Sequence, residues 1–194
     1  WLDGTAGVWS ELVVPGHWNL NGFGLPAYSN VQFPFPIDPP HPPDHNPIGD
    51  YRRAFSLDPG LAAAAAVPGS RILLRFDGIE SAADVFLNGE RLGSTRGSRL
   101  THEFDVTGIV RPAGNVVGVR VAKFSDATYL ENQDMWWLPG IFRSVELLAR
   151  PSGGIDDAFV TADYDPATGR GELAVRVAAE GDVGVRIHEL GIDT

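Results

Sequence analysis

The chain has no cysteine, only one methionine and no long apolar run, and its basic residues are few. The lack of cysteine excludes disulfides, thiol catalysis and cysteine-based zinc sites. Against 25 Asp and Glu there are 15 Lys and Arg, which leaves a formal net charge of −10. That balance disfavours nucleic acids and anionic membranes as partners, because both require a basic contact surface. Phosphate-binding loops and the Gly-x-Ser-x-Gly nucleophile motif are also missing.

Targeting signals are equally scarce. The longest alanine run, Ala62–Ala66, is too short for a membrane span and is soon followed by Pro68. No signal-peptide pattern is visible at the start, and a cysteine-free chain fits the cytoplasm. We therefore expect a cytoplasmic protein. The first residue is Trp1 rather than Met, so we also expect that the natural protein begins upstream.

What is present is a succession of short strand patterns separated by glycine, proline and Asn-Gly turns. Asn88-Gly89 predicts a type I′ hairpin, since both residues tolerate positive φ angles. Val117, Val119 and Val121 alternate with other residues and therefore share one strand face. The predicted strands are Arg71–Phe76, Ala83–Leu87, Glu90–Leu92, Asn115–Phe124 and Phe142–Leu148. Strands and turns at this spacing predict an all-β fold, a β-sandwich of jelly-roll type.

Two other segments have a distinct composition. Phe33–Pro47 contains seven prolines, which exclude helix and favour an extended, semi-rigid loop over the sandwich surface. Leu57–Val67 begins with Asp58-Pro59, a helix start signal, and is predicted to form one or two helical turns.

A domain boundary is predicted near Pro151–Gly154, with residues 1–150 before it and 151–194 after it. The second part contains three strand patterns, Ile155–Ala162, Gly171–Ala178 and Gly184–Glu189. Three strands cannot close a sandwich of roughly seven. We therefore expect the second domain to be truncated and the chain to be part of a longer protein.

The segment Tyr129–Arg143 is the strongest functional signal in the chain. It combines Glu131 and Asp134 with amides and two of the five tryptophans. Aromatic rings stack on the apolar faces of sugars, and acids and amides bond their hydroxyls. Trp136 and Trp137 are equally compatible with sugar contact and with core packing.

Two groups of residues have the composition of a catalytic or metal site but are better explained as structural or solvated residues. Glu131 and Asp134 have the chemistry of a catalytic acid pair, but nothing in the sequence sets the short separation that two cooperating carboxyls need. Glu131 is accordingly interpreted as structural. His41, Asp44 and His45 contain metal-binding groups, yet their proline-rich loop does not set ligand geometry, so solvated loop residues are the preferred interpretation.

Several motifs together resemble the family 2 glycoside hydrolases, specifically the β-galactosidases. Gln133–Trp136 and Gly140–Arg143 are the most specific of them. The others, in the family's order, are Val14–Trp18, Tyr28–Pro34, Asn46–Tyr51, Phe76–Ile79, Asn88-Gly89 and Ser98–Leu100. The likeness covers about Val14 to Arg150. Asn132, where many relatives have Asp, and Trp137–Pro139 depart from the family pattern.

The resemblance implies a galactose-binding-like jelly roll over residues 1–150, followed by the start of an immunoglobulin-like domain over 151–194. In such enzymes the jelly roll lies against a TIM barrel that contains the two catalytic glutamates of a retaining β-galactosidase. By resemblance, Asn30 and Asp134 contact the galactosyl group, and Asp134 also helps to bind Na⁺. The resemblance further implies that the parent enzyme is a homo-oligomer and that Mg²⁺ is a candidate additional cofactor.

Three alternatives stay open at this point. The chain could be an autonomous carbohydrate-binding module, or a purely structural or oligomerisation domain. The parent could also have another family 2 specificity, such as that of a β-glucuronidase.

Overall fold

The structure is a computed structural model that describes residues 9–30 and 32–193. The strands are β1 (Ala27–Ser29), β2 (Ile48–Phe55), β3 (Arg71–Phe76), β4 (Ile79–Glu80), β5 (Ala82–Leu87), β6 (Glu90–Arg96), β7 (His102–Asp105), β8 (Asn115–Ala122), β9 (Met135–Trp137), β10 (Gly140–Ile141), β11 (Val145–Arg150), β12 (Ile155–Asp165), β13 (Arg170–Ala179), β14 (Arg186–Ile187) and β15 (Ile192–Asp193). The helices are α1 (Pro59–Ala65) and α2 (Thr128–Glu131), and 3-10 turns span Trp18–Asn21 and His188–Leu190. No helix in this described part of the chain is long and apolar enough to cross a membrane.

Two antiparallel sheets enclose the core. One has four strands in the order β2-β8-β5-β6, and the other has three in the order β11-β3-β7. Side chains alternate between the two faces of a strand, so every second residue points inward. Ile72, Leu74 and Phe76 of β3 thereby meet Val85 of β5 and Val119 of β8 in one buried cluster. The predicted all-β sandwich of jelly-roll type is confirmed.

The hairpin predicted at Asn88-Gly89 is present between β5 and β6. Asn88 has a φ of 54° and Gly89 a φ of 89°, as a type I′ turn requires. Val119 and Val121 are both buried on the inner face of β8. The local signals at these positions agree with the tertiary structure.

The predicted helix and the predicted proline-rich loop are also found. Asp58 caps α1, because its side chain accepts a hydrogen bond from the Leu61 amide at 2.9 Å. Residues 32–47 form neither helix nor strand. The rings of Phe33 and Phe35 pack against Trp137, with centroids 5.4 and 5.6 Å apart, and tie the loop to the sandwich.

The strand predicted over Phe142–Leu148 is wrong at its start. Ile141 pairs with Ile79 in β4, whereas Val145 pairs with Phe76 in β3. The paired segment of the same chain bends at Asp77-Gly78 between those two positions. The strand is therefore interrupted, and β11 begins only at Val145.

The third strand predicted beyond residue 151 is also wrong. Only Arg186 and Ile187 of Gly184–Glu189 are in a strand, and a 3-10 turn follows them. Gly191, with a φ of 64°, reverses the chain so that β15 returns along β14. A local hairpin replaces the extended strand.

The two preceding strands form a long antiparallel hairpin, β12 with β13. Every residue of β12 is exposed, and none of the residues 151–193 is buried. The assignment of residues 151–194 to an incomplete immunoglobulin-like domain stays a prediction.

Candidate functional site

A short ladder between β1 and β9 joins two segments that are far apart in the sequence. Ala27 pairs with Trp137, Tyr28 with Trp136, and Ser29 with Met135. The Trp137 indole N–H also donates to the Ser29 hydroxyl at 3.0 Å. The ladder brings the Tyr28–Pro34 motif beside the Gln133–Trp136 motif.

Because consecutive strand residues point to opposite faces, the adjacent tryptophans have different surroundings. Trp137 is 1% exposed and packs edge-on against Phe33, Phe35 and Phe124. Trp136 is 54% exposed, and its ring lies 5.5 Å from that of Tyr28 at 51°. Packing thus accounts for Trp137, whereas Trp136 offers an open aromatic surface.

Asp134 lies one residue before β9, with an exposed side chain. The Tyr28 hydroxyl donates to its Oδ1 at 2.5 Å. That bond to Asp134 raises the pKa of the Tyr28 phenol, so Tyr28 is a neutral donor at neutral pH. A carboxylate has several acceptor positions, so Asp134 can still bind a hydroxyl group or a hard cation.

Asn30, the other candidate from the sequence, follows β1 at an exposed bend. Ser29 pairs with Met135, so Asn30 and Asp134 come to the same end of the ladder. Asn30 is not among the residues that line the neighbouring cleft. Val31, which follows it in the motif, lies outside the described residues.

The cleft beside Asp134 has a volume of about 350 Å³. It is lined by His17, Tyr28, Glu80, Arg99, Asp134, Met135, Trp136, Leu138 and Phe142. Apolar and aromatic walls with a few polar groups are typical of small-molecule sites. Among these residues, Glu80 lay outside every sequence prediction, and no local pattern marked it.

The buried Glu80 side chain lines the cleft and is paired with Arg99. It is 3% exposed, accepts a hydrogen bond from Arg99 at 3.2 Å, and accepts another from the Asn132 amide at 3.2 Å. Burial raises the pKa of Glu80 above its ordinary value, although Arg99 and Asn132 oppose that rise. These contacts make Glu80 a structural anchor beneath the Asp134 segment.

Asn132, a departure from the family pattern, has a structural explanation here. Its amide nitrogen supplies the donor that the buried Glu80 carboxyl needs, which an Asp at this position would not supply. Glu131 is likewise occupied, because it accepts hydrogen bonds from the Ser98 amide and hydroxyl. The structural interpretation of Glu131 agrees with these contacts.

His17 and Phe142 stack at the inner end of the cleft. Their ring centroids are 5.2 Å apart at an interplanar angle of 11°. Burial lowers the pKa of His17, which favours a neutral imidazole at neutral pH. The guanidinium groups of Arg99 and Arg143 lie 5.9 and 5.3 Å from the Phe142 ring centre.

Metal-binding groups are dispersed over the described residues. No set of three or more His, Asp or Glu side chains in that part of the chain is arranged to hold a metal ion. His41 in the proline-rich loop lies 3.4 Å from Asp38, and both side chains are largely exposed. Asp134 by itself would be one ligand of a cation whose other ligands come from elsewhere.

The geometry matches a known type of domain. The sequence model described as the sugar binding domain of glycosyl hydrolases family 2 matches residues 1–151. The chain belongs to glycoside hydrolase family 2. Its motifs, the sandwich and the cleft beside Asp134 all lie within the matched family 2 sugar-binding domain.

Two relatives of this family 2 chain are named as β-galactosidases. The chain is 46% identical over 192 residues to the β-galactosidase of Arthrobacter sp. (strain B7), covering 95% of this chain and 18% of that protein. It is 42% identical over 182 residues to the β-galactosidase of Kluyveromyces lactis, covering 91% of this chain and 17% of that one. The chain therefore spans less than a fifth of the length of these two relatives.

Solved structures with a similar fold include proteins that are named as β-glucuronidases. An FMN-binding β-glucuronidase from Facaelibacterium prausnitzii L2-6 is similar with a TM-score of 0.60 at 16% identity, covering 91% of this chain and 25% of that chain. A β-glucuronidase from an uncultured Clostridium sp. has a TM-score of 0.56 at 24% identity, covering 71% of this chain and 25% of that chain. At these identities the likeness concerns the fold.

Proposed function

We propose that this family 2 chain is the N-terminal sugar-binding domain of a retaining β-galactosidase. The parent enzyme hydrolyses terminal β-D-galactosides, and this domain forms one wall of the galactose subsite. The catalytic glutamates belong to a TIM barrel outside this chain. The chain's part is to bind and orient the sugar.

The exposed Asp134 carboxylate in the aromatic cleft is the observation that carries this proposal. Tyr28 donates to one of its oxygens, and Trp136 lies alongside. A carboxylate is a strong acceptor for sugar hydroxyls, and an exposed indole offers a face for the apolar side of the ring. The two β-galactosidase relatives support galactosides as the substrate class.

The charges in the cleft support a binding role over a catalytic one. Retaining hydrolysis needs two carboxyls about 5–5.5 Å apart, one of which acts as nucleophile. Of the two acids that line this cleft, Glu80 is buried and bonded to Arg99 and Asn132. Asp134 is thus the one of these two acids that is open to a ligand, which supports the proposal that the reacting pair belongs to the barrel.

Asp134 is also the residue proposed to bind Na⁺, and Asn30 is proposed as a second sugar contact. A carboxylate oxygen is a suitable ligand for a hard cation. No group of three or more His, Asp or Glu side chains among the described residues is arranged to hold a metal ion. The remaining Na⁺ ligands, and any Mg²⁺ site of the parent, would then be provided outside this chain.

Asp134→Ala in the full-length enzyme tests the proposal. We expect kcat/KM for a chromogenic β-galactoside to fall by about 100-fold, because a charged hydrogen bond to the sugar of roughly 2–3 kcal/mol is lost. Asp44→Ala is the matched control, since Asp44 is an exposed Asp in the proline-rich loop. Its activity should equal that of the unmodified enzyme.

Two results would count against the proposal. Turnover by the purified 194-residue chain would show that the reacting groups lie within it. Unchanged kcat/KM in Asp134→Ala would instead favour a purely structural or oligomerisation role. A panel that includes a β-glucuronide, assayed on the full-length enzyme, separates galactosidase from glucuronidase specificity.

The exposure of Trp136 favours one further candidate, an autonomous carbohydrate-binding module. In that case galactose titration should produce saturable chemical-shift changes at the Trp136 indole in the isolated chain. Trp137 is the internal control, because its indole is buried. A flat response at Trp136 would reject autonomous binding.

A further inference from the structure

Tyr28 makes the one hydrogen bond that the structure gives to the Asp134 side chain among the described residues. The two residues are 106 positions apart in the sequence, so only the folded chain brings them together. Asp134 is exposed, and the segment on its N-terminal side is irregular. Without a partner, an exposed carboxylate at such a position can adopt several rotamers.

Tyr28 is fixed through its backbone and through one ring contact, although its side chain is half exposed. Its backbone pairs with that of Trp136 in the β1–β9 ladder, and its ring lies 5.5 Å from the Trp136 ring. The next residue, Ser29, accepts the hydrogen bond from the buried Trp137 indole. The strand that carries the Tyr28 side chain is therefore connected to the buried core.

We propose that Tyr28 is a positioning residue that holds Asp134 in the orientation required for sugar binding. This inference rests on the proposed function, in which Asp134 contacts the galactosyl group. The Tyr28 hydroxyl donates a hydrogen bond to Oδ1 of Asp134. Oδ2 is then left to accept a hydrogen bond from a sugar hydroxyl. Fixing the acceptor before binding reduces the ordering that the substrate must otherwise impose.

Tyr28→Phe in the full-length enzyme removes only the hydroxyl and keeps the ring beside Trp136. We expect kcat/KM for a β-galactoside to fall about tenfold, which corresponds to about 1.4 kcal/mol. The dissociation constant of a thiogalactoside that the enzyme does not hydrolyse should rise by a similar factor. The melting temperature should stay the same, since the ladder and the ring packing are retained.

The decisive measurement combines Tyr28→Phe with Asp134→Ala. If Tyr28 acts through Asp134, the double variant should be within about twofold of Asp134→Ala alone, because residues that act as a unit are not additive. If Tyr28 has only a structural role, Tyr28→Phe should instead lower kcat/KM by the same factor with Asp134 present and with Asp134→Ala.

Tyr129→Phe is the matched control. The Tyr129 hydroxyl donates to the His41 carbonyl at 2.7 Å in the proline-rich loop, away from Asp134. Removing it should leave kcat/KM within about twofold of the unmodified enzyme.

The outcomes separate this inference from the proposed function. Full activity in Tyr28→Phe, together with a large loss in Asp134→Ala, overturns the positioning role and leaves the proposed function intact. Independent, multiplying losses in the double variant also overturn it. Full activity in Asp134→Ala overturns both.

Discussion

The segment Tyr129–Arg143 presents two faces that differ in their surroundings. On the inner face, Trp137 and Asn132 are buried and bonded to Ser29 and Glu80. On the outer face, Trp136 and Asp134 are exposed and line the cleft. A motif that is continuous in sequence therefore has two environments, one buried in the fold and the other open to the cleft. Residues of the same type should therefore respond differently to the same substitution according to whether they are buried or exposed.

The largest difference is expected between the two tryptophans. Trp137→Ala should lower the free energy of unfolding by about 3–5 kcal/mol, because it empties a buried site among Phe33, Phe35 and Phe124. Trp136→Ala should cost less than about 1 kcal/mol, since its ring is half exposed. Urea denaturation of both variants measures the contrast. Equal losses would remove the distinction between the faces.

A smaller difference is expected between two asparagines. Asn132→Asp places a second carboxyl beside Glu80, where the amide now donates at 3.2 Å, and should destabilise the chain by about 2 kcal/mol at pH 7. Asn30→Asp makes the same change at an exposed position and should alter stability by less than about 0.5 kcal/mol. Thermal or urea unfolding of the pair would sharpen the comparison, and a stable Asn132→Asp variant would contradict it.

The smallest expected effect is the contribution of the buried Glu80 to the pH dependence of stability. The pKa of Glu80 is raised by burial from its ordinary value of 4.5, so the unfolded chain releases this proton at lower pH than the folded chain does. Stability is therefore lost as pH rises from 4.5 to the raised folded-state pKa, and below 4.5 the loss is absent. Glu80→Gln lacks this titration.

Urea denaturation at several pH values between 4 and 8 measures that effect. Relative to the unmodified chain, Glu80→Gln should gain stability as pH increases above 4.5 and then level off. Parallel curves for the two proteins would show that the Glu80 carboxyl is not penalised by burial.

Local sequence patterns predicted much of the sandwich. Alternating valines defined the inner face of β8, Asn88-Gly89 defined a hairpin, and Asp58 defined the start of α1. These features depend on side-chain periodicity and backbone preference within a few residues. The motif order also predicted the family, which the match over residues 1–151 confirms.

Features that depend on distant partners were not predictable in the same way. The interruption before Val145 depends on the bend at Asp77-Gly78 in the paired strand of the same chain. The end of the strand at Ile187 depends on the reversal at Gly191. The β1–β9 ladder is too short to produce a clear alternation, so the neighbourhood of Tyr28 and Asp134 had no local signal.

By itself, the sequence determined the fold class and the family, and the resemblance to that family led to Asn30 and Asp134 as candidate sugar contacts, which stay predictions. Which of the paired tryptophans is exposed, which group Asn132 bonds and which hydroxyl donates to Asp134 were decided only by the tertiary structure. The physical reason is that burial and hydrogen bonding depend on residues brought together from far along the chain. Asp134 and Tyr28 are 106 positions apart, and Asn132 and Glu80 are 52 apart, so neither contact leaves a trace within one segment.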